Sequence, residues 1–71
     1  MMTPRQKVFM KNFLNDFLKL QEKFYIPQPT ADYWDAICEE SMALISRNKT
    51  EDERQNQLCE DMVLAFLKTR Q

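Results

Sequence analysis

Hydrophobic residues recur at helical spacing in three stretches of this chain, with polar residues between them. In the first stretch Phe9, Met10, Phe13, Leu14, Phe17, Leu18, Leu20, Phe24 and Tyr25 fall within one arc of about 180° when placed around a helix. Asn12, Asn15, Asp16, Lys19, Glu22 and Lys23 fill the opposite side. The second stretch carries Tyr33, Trp34, Ile37, Cys38, Met42, Leu44 and Ile45 on one arc, with the small Ser41 near its middle. The third carries Leu58, Cys59, Met62, Val63, Ala65, Phe66 and Leu67. A period near 3.6 residues, sustained three times, predicts three amphipathic helices.

Capping residues set the expected boundaries. Thr3-Pro4-Arg5-Gln6 offers an N-cap hydroxyl, a proline at the first helical position and a glutamine able to reach back. Pro27 disfavours helical geometry at Ile26, so the first helix is expected to end near Tyr25. Two prolines in Ile26-Pro27-Gln28-Pro29 stiffen the following corner toward polyproline geometry. Thr30 reads as the next N-cap, with Asp32 in the first turn, and Asn48 as a residue able to take a left-handed C-cap. Thr50-Glu51-Asp52-Glu53 reads as a capping box with Thr50 as N-cap. The expected helices are therefore about 4–25, 31–47 and 51–69. The turns from Glu51 to Gln57 are polar all round and are expected to run past the core. The small Ser41 permits close helix approach, and its hydroxyl can bond the preceding turn.

Short connections make consecutive helices antiparallel neighbours. The predicted fold is all-α, a single domain over 1–71 built as a small three-helix antiparallel bundle. Equal rise in helices two and three sets Cys38 level with Cys59 and Trp34 level with Val63. Trp34 is thus expected to meet Val63 and Phe66, and both cysteines are expected in the core as reduced, inert thiols.

Composition narrows the chemistry. At 71 residues the core is small. Five Phe, two Tyr and one Trp nevertheless supply enough bulk to argue against disorder. There is no His, which removes the usual proton shuttle near neutral pH and the imidazole metal ligand. There is no Gly, which removes the usual phosphate-cradling loop. Cys38 and Cys59 are the only strong nucleophiles and have no basic activator on their own helix faces. The carboxylates of Asp32, Asp35, Glu39 and Glu40, and of Glu60 and Asp61, lie on polar faces where water keeps them ionised. No catalytic site, cofactor or metal is expected. The longest apolar run, Met62 to Leu67, is far short of the roughly 20 residues a membrane helix needs. A soluble cytoplasmic protein with no membrane partner is the expectation.

Charge is uneven. Residues 1–25 carry Arg5, Lys7, Lys11, Lys19 and Lys23 against Asp16 and Glu22, a net +3, while residues 26–71 carry a net −4. Two function classes follow. The first is a non-enzymatic interaction protein, acting as a homo-oligomer, adaptor or inhibitor, whose partner is another protein or a second copy of itself. Its predicted surface is the flank of helix 1 formed by Phe9, Phe13 and Leu20, with Asp16 and Lys23 as polar rim. The alternative is a nucleic-acid-binding regulator using Lys11, Lys19 and Lys23 with Asn12 and Asn15. Against it, Glu51, Asp52 and Glu53 at the start of helix 3 would face phosphate badly.

Overall fold

A computed structural model describes all residues from 1 to 71. It contains three helices, α1 (Pro4–Lys23), α2 (Ala31–Arg47) and α3 (Glu53–Thr69), and no strand. They run up, down and up in a rod of 42 × 19 × 17 Å.

The start of α1 forms as its sequence predicts. The Thr3 hydroxyl accepts from the Gln6 amide at 3.2 Å, and Gln6 Oε1 accepts from the Thr3 amide at 2.8 Å. Two of the otherwise unpaired N–H groups at the helix start are thereby satisfied. At its other end the helix stops at Lys23, short of Tyr25, and Phe24 is the C-cap. Tyr33 Oη donates to the Phe24 carbonyl at 2.9 Å, and the two rings meet edge-on at 5.6 Å. The proline corner is thus fastened at its entry by a side chain one turn into α2. Thr30 caps α2 by accepting from the Tyr33 amide at 3.2 Å.

The α2–α3 joint departs from expectation twice. Asn48 keeps a negative φ of −103° and satisfies the helix end through its side chain, with Nδ2 donating to the Leu44 carbonyl at 2.9 Å. The N-cap of α3 is Asp52, two residues later than predicted, because its carboxylate accepts from both Arg54 and Gln55 amides. Thr50 instead organises the turn: its hydroxyl accepts from the Asp52 amide at 3.2 Å, and its backbone groups pair with the Asn56 amide. A carboxylate offers more acceptor sites than a hydroxyl and lies closer to the positive helix end, which favours the later start. No residue in the chain has a positive φ.

The core is Phe13, Phe17, Leu20 and Phe24 from α1, Ile37 and Leu44 from α2, and Cys59, Val63 and Phe66 from α3. Phe13 and Phe17 stack at 5.5 Å, and Phe17 meets Phe66 edge-on at 6.0 Å. Each fully buried large side chain contributes about 1.5–3 kcal/mol relative to exposure, a large share of what a domain this small can hold. Trp34 and Tyr33 pack half-buried against this cluster. Ser41 is fully buried between the helices, as its size allows, and its hydroxyl has no hydrogen-bond partner, so the bond open to it in the preceding turn is not made.

Candidate interaction surface

The three seams of the bundle are built differently. Between α1 and α2 the seam is closed by charge. Lys23 Nζ lies 2.7 Å from Glu40, and Asp16 accepts from Asn48 at 3.0 Å with Arg47 Nε at 3.6 Å. Leu20 and Leu44 lie beneath these groups.

Between α1 and α3 the rings of Phe17 and Phe66 meet in the core, and polar side chains tie only the two ends. At one end Gln55 Nε2 reaches the Gln6 carbonyl and Gln6 Nε2 reaches Asp52 at 3.3 Å. The polar first turns of α3 therefore pack on α1 instead of running free, and Gln55 is buried. At the other end the Arg70 guanidinium sits 5.0 Å from the Phe66 ring centre and 5.7 Å from that of Tyr25, and donates to the Tyr25 carbonyl. Between these ties lies an open cleft lined by Phe17, Gln21 and Tyr25 on one side and Met62, Ala65 and Thr69 on the other.

This distribution moves the candidate surface. Phe13 and Leu20 are 1% and 5% exposed and belong to the core, so the predicted flank of α1 is not a free surface. Phe9 is half-buried, with the Arg5 guanidinium 5.5 Å from its ring centre. Asp16 and Lys23, expected as a rim, are spent inside the chain on α2. The apolar arc of α1 has two edges, and α2 covers the edge that holds Leu20. The other edge is left over: Leu14 and Leu18 are 45% and 55% exposed. Met10 lies half-buried on the same side, next to Lys7 and Lys11. On α3 the matching edge is Leu58, 50% exposed, with Met62 and Ala65 at successive helical repeats. The α1–α3 face is thus an apolar strip on both sides of an open cleft, flanked by exposed Lys7, Lys11 and Glu22 on α1 and Asp61 and Lys68 on α3.

The cysteines separate. Cys59 is buried and Cys38 is exposed, which corrects the expectation that both lie in the core. Cys38 sits at the edge of the α2 arc, just beyond what α3 covers. Burial pushes the Cys59 thiol above its ordinary pKa of 9.0. No three Cys, Asp or Glu side chains converge as metal ligands would, and no helix is long and apolar enough to cross a membrane. No protein-family model, curated protein or solved structure matches this chain.

Proposed function

We propose that this protein is a non-enzymatic interaction domain that docks through its α1–α3 face. The observation that carries the reading is the contrast between seams: α1–α2 is bridged by two ion pairs, whereas beside the α1–α3 cleft Leu14, Leu18 and Leu58 are left about half exposed. Exposed apolar side chains rimmed by charge have the composition of a protein interface, with an apolar centre and polar edge. The nucleic-acid alternative draws less support, because Lys23 is already paired with Glu40 and Asp16 lies on the same side of α1. A reducing, cytoplasmic setting belongs to this reading, since neither cysteine is paired.

The test places a photo-crosslinking residue at Leu18, and a control at the exposed Glu39 on α2, in the native host. Discrete protein adducts from Leu18, abolished by L14Q/L58Q and absent from Glu39, are the expected outcome. Equal labelling at both positions, or none at Leu18, overturns the reading. Salt-sensitive heparin retention lost on K11Q/K19Q would favour the nucleic-acid alternative.

A further inference from the structure

The charges beside the apolar strip have a self-complementary order. Lys11 and Glu22 are exposed on the outer edge of α1, and Asp61 and Lys68 on the outer edge of α3. Lys11, Glu22 and Lys68 have no charged partner within the chain, and Asp61 only accepts from Gln57. Lys11 and Glu22 are three turns apart, and Asp61 and Lys68 two, so neither pair can close on its own helix. The midpoint of the first pair falls between Asp16 and Phe17. The midpoint of the second falls between Leu64 and Ala65.

These midpoints lie at the same height in the bundle. Two contacts fix how α1 and α3 align: Gln55 against the Gln6 carbonyl, and Phe66 against Phe17. Both join residues 49 apart. The charge midpoints are one residue short of that separation, about 1.5 Å along a helix. One axis crossing both helices at this level therefore relates the positive and negative member of each pair.

We propose that the α1–α3 face closes on a second copy of this chain about a two-fold axis that lies in the interface perpendicular to the helices. Resting on the interaction reading above, the arrangement sets α1 antiparallel to the partner's α1 and α3 antiparallel to the partner's α3. Lys11 meets the partner's Glu22, Asp61 meets the partner's Lys68, and Leu14 meets the partner's Leu18. Such an isologous contact needs one patch that complements itself, and this patch does. Antiparallel helices also oppose their dipoles. A two-fold axis along the helices would instead lay α1 on the partner's α3; it too would set Lys11 near the partner's Asp61 and Glu22 near the partner's Lys68, but it would also bring Lys7 against the partner's Arg54, a repulsion the perpendicular axis avoids.

Sedimentation equilibrium of the full chain tests this. The wild-type protein is expected to shift with concentration from 8.6 kDa toward twice that mass. K11E turns two attractive pairs repulsive and should weaken dimerisation about tenfold, as should E22K. The double variant K11E/E22K should return to within about threefold of wild type, and so should D61K/K68D. Circular dichroism confirms that each variant is folded. Failure of K11E/E22K to restore the dimer, or restoration by K11E/D61K instead, overturns the register. A mass that stays at one chain up to roughly 1 mM overturns the second copy as occupant, while adducts from Leu18 of any other mass leave the interaction reading standing. A dimer untouched by L14Q/L18Q overturns the proposal that this face is the dimer contact; the interaction reading still rests on the crosslinking result.

Discussion

Asp16 on α1 accepts a hydrogen bond from Asn48, the C-cap of α2, at 3.0 Å. The same Asn48 amide group satisfies the Leu44 carbonyl at 2.9 Å, so one side chain both ends a helix and joins it to another. Replacing Asp16 with Ala removes the acceptor and leaves Arg47 unpaired. The expected cost is about 1 kcal/mol of folding stability. Chemical denaturation should show a lower midpoint at unchanged slope, and the self-association of the protein should not respond.

The two edges of the α1 arc should answer mutation in opposite ways. Phe13 is sealed in the core, so F13A is expected to cost about 3–5 kcal/mol, enough to unfold much of a domain this small. L14Q/L18Q should change folding stability by less than about 1 kcal/mol, because both side chains already meet water. Thermal melts of the two variants at equal dilute concentration decide the matter. If F13A melts near wild type, the assignment of that edge to the core is wrong.

The thiols should be told apart by a disulfide reagent at pH 8. Cys38 is exposed and should react at the rate of a free thiol. Cys59 should wait for unfolding, because burial both shields it and disfavours its thiolate. One equivalent released from the native protein and a second after denaturant is the expected result.

Stability should be level from about pH 5.5 to 8, since the chain has no histidine to titrate there. Cys59 adds a limit on the alkaline side. Its folded pKa is raised above the unfolded value, so the folded state holds that proton more tightly. Its contribution is complete below the unfolded pKa and is lost as pH rises through the folded one. Thermal midpoints should therefore fall above about pH 9, and more steeply in the wild-type protein than in C59A. Parallel slopes for the two proteins would remove Cys59 as the cause.

Much of this was legible in the sequence. The three-fold repetition of a helical period gave the helices, and the Thr3–Gln6 pair marked the start of α1 to the residue. The Asp52 cap was harder to read because Thr50 and Asp52 are both good caps two residues apart, and the choice depends on how the turn hydrogen-bonds. The misplaced surface has a different origin. An apolar arc on α1 has two edges, and hydrophobic pattern alone does not say which edge the next helix covers. That depends on the handedness with which three helices turn about each other. One signal did bear on it. Asp16 and Lys23 are seven residues apart, as are Glu40 and Arg47, with the same order of sign, negative then positive. In an antiparallel pair both match at once, which is the arrangement found. The edge of α1 bearing Asp16 and Lys23 therefore had to face α2, and Leu14 and Leu18 had to lie elsewhere.

Both helix-to-helix joints are made entirely with negative φ, and no residue anywhere needs the left-handed region. Each position is thus sterically open to any residue that carries a Cβ, proline aside. In a saturation mutagenesis map of this protein, intolerance of alanine would report what a side chain contacts, with no background from backbone geometry. The map would separate cleanly into columns that protect folding, such as Phe13, Ile37 and Val63, and columns that protect only function. That separation supplies the kind of information an alignment of relatives carries.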